Sequence, residues 1–304
     1  MTKVRVFAPA KINLSLHITG QLNNGYHLID SLVAFADIGD WITLTEHGLR
    51  ELSVTGPEAV PDLSSDTNIM WHAAQKFWSP DRPLSMGLEK HLPMASGIGG
   101  GSADAAATYR GLLLLRAAVE GAGTPRDPTP ADARDLLAIG ADVPMCVLSD
   151  PARIQGIGEQ ITPVPELFPY AIVLVNPRVQ VSTPAVFSKL AIKDNPGLDP
   201  WPDRFEDRDA ALAWIAAQRN DLQVPAIANC PDIADVLSAL KRIETCRLAR
   251  MSGSGATCFG IFERVHLAQA AAEAIRAAYP DWWVRSGRLN GGKQAVPQLI
   301  RSTT

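Results

Sequence analysis

The sequence predicts a protein of mixed strands and helices in two domains, and three observations carry that expectation. Its 304 residues are enough to bury two sizeable cores. The stretch from Val4 to Ile18 alternates apolar and polar residues with the period of a strand. Pro93 to Leu115, PMASGIGGGSADAAATYRGLLLL, places Gly97, Gly99, Gly100 and Gly101 within five positions and then runs into an alanine-rich helix.

Taken in order, the first strand puts Val4, Val6, Ala8, Ala10, Ile12, Leu14, Leu16 and Ile18 on one face. Arg5, Lys11, Asn13, Ser15 and His17 take the other. Pro9 predicts an edge or a bulge beside Lys11, because proline cannot donate to a ladder. Asn23, Asn24 and Gly25 predict a hairpin turn, so Tyr26 and His27 begin the next strand. Strands are expected over 31–38, 41–45 and 51–54. A helix capped by Asp66 or Thr67 carries Ile69, Met70, Ala73, Ala74 and Phe77 at helical spacing, and a short strand at 84–88 leads into the glycine stretch.

After the glycines, Ser102 is the expected helix cap, with Asp104 near the positive end of the helix dipole. Thr129, Pro130 and Asp132 mark another helix start, and Gly140 its end. Asp142 then falls just past a helix, and Pro144 biases Val143 towards extended backbone. A hairpin over 152–164 and a buried strand over 170–175 follow. Residues 194–207, rich in proline and aspartate, read as an irregular insertion. Helices are expected over 210–218, 232–243 and 267–278. A second glycine-serine turn, MSGSGATCFGIF, precedes a strand at 258–262, and the tail from Ser286 reads as loose. The domain boundary is expected near 165.

Net charge is −4, which gives no electrostatic case for nucleic acid. The four cysteines form no CxxC or Cys/His cluster, as expected of a reducing cytoplasm rather than a zinc or disulfide framework. No run reaches membrane-spanning length, and MTKVRVFAPAK lacks the apolar core of a signal peptide. The chain is therefore expected in the cytoplasm, acting on small molecules.

A glycine loop that feeds a helix aims several unpaired N–H groups at one point, which suits a phosphate. No Gly-Lys-Ser/Thr follows these glycines, so the cation of a common P-loop must come from elsewhere, and Lys11 would supply it. The alternative is a flexible turn before a core helix. Asp142 could project a carboxylate into a cleft or could cap a turn. Tyr26-His27 alone reads as packing.

Six segments from Pro9 to Ala256 change that balance: PAKINLSLHITGQLNNGYHLIDS, PMASGIGGGSADAA, GADVPM, NPRVQVSTPAVF, RNDL and MSGSGA. Together they resemble the GHMP kinase superfamily, which includes galactokinase and the homoserine, mevalonate and phosphomevalonate kinases. The resemblance implies an α+β, two-domain GHMP kinase fold with a cleft between its halves. Residues 1–165 would form an N-terminal domain (ribosomal protein S5 domain 2-like) carrying the ATP-phosphate loop, and 166–304 a ferredoxin-like C-terminal domain.

It also implies ATP-dependent phosphorylation of an alcohol, with Mg²⁺ carried chiefly by phosphates and water and no protein metal site. By position, Asp142 matches the family's base and Lys11 its lysine. Pro93, Met94, Ala95, Ser96, Gly97, Ile98, Gly99, Gly100, Gly101, Ser102 and Ala103 match the ATP loop, with Ser96 where Gly or Ala is more typical. Asn13, Tyr26, His27, Thr183, Phe187, Ser254 and Gly255 match substrate contacts. By the same resemblance, Tyr26-His27 and Phe187 match elements that hold a cytidine moiety, which implies an acceptor bearing a cytidine diphosphate. A GHMP kinase for a homoserine- or mevalonate-like alcohol, and a catalytically silent nucleotide-binding relative, are the competing readings.

Overall fold

The computed structural model describes residues 2–47, 49–165, 167–290 and 295–300. The first half runs β1 (Lys3–Asn13), β2 (His17–Gln21), β3 (His27–Thr45), β4 (Glu51–Thr55), α1 (Ile69–Phe77), β5 (Ser85–Glu89), α2 (Gly100–Glu120), α3 (Pro130–Ile139), α4 (Val143–Leu148), β6 (Ala152–Gly156) and β7 (Gln160–Pro163). The second half runs β8 (Tyr170–Asn176), α5 (Thr183–Ser188), α6 (Arg208–Ala217), α7 (Gln223–Asn229), α8 (Asp232–Lys241), β9 (Leu248–Met251), β10 (Cys258–Phe262), α9 (Val265–Ala278), β11 (Trp283–Leu289) and β12 (Gln298–Ile300).

Strand β3 is the hub. It pairs with β1, β2, β5 and β6, and meets β11 at Leu289–Ala36, which joins the first-half strands to the ladder β11-β8-β10-β9. The strands expected at 31–38 and 41–45 are thus one continuous strand. Among the described residues the strands pair antiparallel except β4 with β5, and an isolated parallel bridge joins Leu16 to Asn220.

The regular alternation expected along β1 does not put its apolar residues in one core. Val4, Val6 and Ala8 pack with α1 and α2, whereas Ala10, Ile12 and Leu14 pack with β8, β10 and β11. The cause is the register shift between Pro9 and Lys11, opposite a glycine of β3 that sits beneath the Ala8 carbonyl. Beyond that shift Lys11 lies opposite Phe35, which belongs to the α2-side core. The polar residues beyond the shift therefore turn inward. Lys11, Asn13, Ser15 and His17 are all buried rather than solvated.

Helix α2 lies very close to the sheet. A Cβ at Gly111 would come within 2.6 Å of Leu44 and 2.9 Å of Val6, which is why only a small residue serves there. Its N-cap is Gly99 in left-handed conformation, not Ser102, which falls within the first turn. Asn68, rather than Asp66 or Thr67, caps α1 through a bond from the Met70 N–H. Thr129 and Asp132 form the expected capping box of α3.

Two other expectations change, and a third holds. Pro144 does not extend Val143 but sits in the first turn of α4, where its missing N–H costs nothing. Residues 283–289, partly assigned to the loose tail, are a strand buried between β8 and β3; 291–294 and 301–304 lie outside the described residues. Residues 194–207 are irregular but fastened: Asp30 accepts from the Leu198 N–H at 3.0 Å and is held by Arg153 at 2.8 and 2.5 Å.

Candidate active site

A cleft of about 1330 Å³ opens between the glycine loop, the inward face of β1, the N-terminus of α4 and the loops after β8 and β9. The loop is fixed from beneath. Gly97 (φ 73°) is so close to the second glycine turn that a Cβ would stand 2.6 Å from the Ser252 carbonyl and 2.7 Å from that of Gly255. Ser252 Oγ donates to the Gly97 carbonyl and accepts from the Asn13 N–H, both at 3.0 Å. The Lys11 N–H donates to the Ile98 carbonyl at 2.9 Å, and the Thr257 N–H to that of Ser96 at 3.1 Å.

With its backbone held there, Lys11 lays its stem across Gly99 and donates from Nζ to Asp142 Oδ2 at 2.6 Å. The lysine side chain is 8% exposed and the aspartate 37%, so the pair sits at the floor of the cleft with its carboxylate reachable. Asp142 precedes α4 without capping it through its side chain. The far end of α4 is tied by half-buried Arg110, which donates to the carbonyls of Cys146 (2.6 Å), Val147 (3.3 Å) and Phe7 (3.0 Å). Burial without a carboxylate partner pulls that guanidinium down to about 10.

Under the first turn of α2 lies Lys90. Its ammonium donates to Asp40 Oδ2 at 2.5 Å and Asp104 Oδ2 at 2.9 Å, all three side chains being at most 5% exposed. Asp40 also accepts the N–H groups of His91 and Leu92, at 2.5 and 2.9 Å. Burial pushes the Asp104 carboxyl well up, against the pull of Lys90, and its Oδ1 has no partner.

At the opposite end the His27 ring packs on Phe187, centroids 4.8 Å apart, beside exposed Tyr26. Burial and Lys193 lower His27, keeping the imidazole neutral, and its Nε2 is buried without a partner. Asn13 donates to Ser31 Oγ at 2.8 Å, and its Oδ1 is likewise orphaned. Thr183 and Ser254 share a hydroxyl bond of 2.8 Å.

The N- and C-terminal parts match separate family models, "GHMP kinases N terminal domain" over residues 68–150 and "GHMP kinases C terminal" over 205–281. A protein of Roseobacter denitrificans named 4-diphosphocytidyl-2-C-methyl-D-erythritol kinase is 48% identical over 97% of each chain. The chain belongs to the GHMP kinase family. One of Ruegeria pomeroyi with the same name is 50% identical, over 94% of this chain and 99% of its own. A crystal structure of 4-(cytidine 5'-diphospho)-2C-methyl-D-erythritol kinase superposes with a TM-score of 0.74 at 28% identity, covering 94% of this chain and 99% of the other.

In this GHMP kinase, Lys11, Asn13, Tyr26, His27, Pro93–Gly97, Gly99–Ser102, Asp142, Thr183, Phe187 and Ser254 all line the one cleft. Ile98 and Ala103 are buried in the core instead, and Gly255 packs behind Gly97. Sequence reasoning missed Lys90, Asp40 and the Asp104 bond, and also Glu58 and Arg178, which line the cleft as an ion pair. A lysine three residues before PMASGIGGG was a signal for the first. Nothing local announced the second.

Proposed function

We propose that this GHMP kinase transfers the γ-phosphoryl group of ATP to the 2-hydroxyl of 4-diphosphocytidyl-2-C-methyl-D-erythritol, a step towards isoprenoid precursors in the cytoplasm. One observation carries the reading: the Lys11–Asp142 pair at 2.6 Å opens into the same cleft as the glycine loop and the His27–Phe187 stack. The relatives' names support the choice of acceptor.

The N–H groups of 99–102 bind the β- and γ-phosphates, aided by the dipole of α2. Asp142 takes the proton of the attacking hydroxyl; the new O–Pγ bond forms as the bond to the β-phosphate oxygen breaks, and ADP leaves. Lys11 holds Asp142 in place and adds fixed charge beside the transfer. Mg²⁺ brought in with the nucleotide would supply positive charge that offsets the phosphates beside Lys11 and the glycine loop.

Orphaned Asn13 Oδ1 accepts from an acceptor hydroxyl, and His27 Nε2 reads the cytosine edge while Phe187 and Tyr26 bracket the ring. We read 1–165 as the phosphate-binding domain and 166–304 as the domain that closes over it. A coupled ADP-release assay tests the whole: purified protein with ATP, offered the cytidyl acceptor, homoserine or mevalonate. Turnover with the cytidyl acceptor alone is expected. Turnover with another alcohol instead overturns the acceptor, and ATP binding without turnover on any overturns the kinase.

A further inference from the structure

We propose that Glu58 and Arg178 form a clasp across the cleft that sets how fast nucleotide leaves it; the proposal rests on the kinase reading above. The two residues belong to different parts of the sheet. Glu58 follows β4, and its N–H donates to the Lys90 carbonyl at 3.1 Å. Gly56 just before it presses so closely on Lys90 that a Cβ would lie 2.5 Å from the same carbonyl. Glu58 is thereby fixed to the strand that leads into the glycine loop.

Arg178 follows β8, and its N–H donates to Asn176 Oδ1 at 2.7 Å. Asn176 in turn donates to Thr257 Oγ1 at 2.9 Å, which fixes Arg178 to the turn packed under Gly97. The two side chains then meet in a fork, Nη1–Oε2 and Nη2–Oε1 both 2.7 Å. Such a bidentate pair restricts geometry as well as adding energy.

Burial makes the clasp asymmetric. The Glu58 side chain is 6% exposed and, among the described residues, bonds Arg178 alone of the side chains, whereas Arg178 is 48% exposed and lines the cleft. Parting the two strands a carboxylate in a poorly solvated place, which favours the closed form. Glu58 shares its wall of the cleft with Val60, Leu63 and Ile69, beside the glycine loop, while Arg178 shares the opposite wall with Val179 and Val181. The clasp thus closes the cleft where those two segments meet, beside the loop that the proposed function assigns to the phosphates.

The backbone supplies a clean test. Arg178 has φ 62°, a conformation that suits glycine, so Arg178→Gly removes the clasp while relieving the backbone. Release of a fluorescent ADP analogue from the protein is followed by stopped flow for the parent, Glu58→Gln, Arg178→Gly and the double variant Glu58→Gln/Arg178→Gly. Each single variant is expected to release nucleotide about fivefold faster and to raise KM for ATP by a similar factor, the size expected of a partly exposed pair. The double variant is expected to be no faster than either single, since each substitution already removes the same pairwise interaction. Parental release rates in both single variants overturn the clasp, as does a double variant whose acceleration is the product of the two single effects. A parent that binds no analogue overturns the kinase reading itself, and the clasp with it.

Discussion

Replacing Lys90 by methionine removes the sole cation of a buried triad, and the structure bounds what that costs. The ammonium faces Asp40 at 2.5 Å and Asp104 at 2.9 Å, with the three side chains 2%, 0% and 5% exposed. Removing one partner of a buried ion pair typically costs about 3–5 kcal/mol, because the remaining charge is uncompensated. The molecule has one escape: Asp104 can take a proton, whereas Asp40 is committed to two backbone N–H groups. Protonating an ordinary carboxyl at pH 7 costs about 4 kcal/mol, three units at 1.36 each, and only about 1.5 kcal/mol at pH 5. The sign follows from Asp104 itself. Burial already raises its carboxyl and Lys90 opposes that, so losing the lysine raises it further. A group raised on folding adds stability that is present below its unfolded pKa and lost as pH rises. Lys90→Met should therefore lose about 4 kcal/mol at pH 7 and about half that or less at pH 5. Urea denaturation of parent and variant, followed by tryptophan fluorescence at both pH values, reads the difference. A loss below about 1 kcal/mol at pH 7, or the same loss at both pH values, would refute the reasoning.

Asp142→Asn should fold and bind ATP, since its side chain caps nothing and an asparagine oxygen can still accept from Lys11, yet lose about 10²–10⁴-fold in kcat; near-parental turnover removes it from the mechanism. Lys11→Ala should lower kcat more than it raises either KM, and an effect confined to the KM for ATP would make Lys11 a ground-state phosphate ligand only. Gly97→Ala should cost about 2–4 kcal/mol in thermal or urea unfolding, because its Cβ meets the backbone of Ser252 and Gly255 at 2.6–2.8 Å and φ is left-handed; a fully stable variant would refute the packing. Cytidine diphosphate should compete with the acceptor better than uridine diphosphate; His27→Ala should narrow that gap, while Phe187→Ala weakens both by about 1–3 kcal/mol. No preference between them would sink the cytidine pocket.

Much of this was legible because it is written locally. The Asn-Gly hairpin, the Thr129–Asp132 capping box and the glycine loop each need only a few adjacent residues, and each formed as expected. What failed depended on partners far along the chain. The strand at 283–289 reads as polar tail because Arg285, Ser286 and Arg288 flank its apolar residues, yet β8 on one side and β3 on the other recruit it. Helix α4 is six residues long, too short for periodicity to reveal, and is held by Arg110 from α2. Lys11 and Asp142 are 131 residues apart; composition and spacing offered each as a candidate, and only the resemblance joined them before the structure brought them to 2.6 Å.

The change of face in β1 ties fold and chemistry together. Strict alternation assigns the polar residues of an antiparallel strand to solvent, and that rule would have left Lys11 and Asn13 outside. Gly39 lies opposite Pro9, and a Cβ there would stand 2.2 Å from the Ala8 carbonyl, so the strands cross closely where the register shifts. Up to that point β1 gives Val4 and Val6 to the core under α2; after it, the same side of the sheet receives Lys11 and Asn13. On the proposed reading, one strand thus anchors the helix whose N-terminus would face the phosphates and delivers the lysine that would face the transferred group, so the distance between them is set by backbone. A proline and a glycine at one rung accomplish this, which is why a substitution at Gly39 should disturb catalysis and folding together while one at Asp142 should disturb catalysis alone.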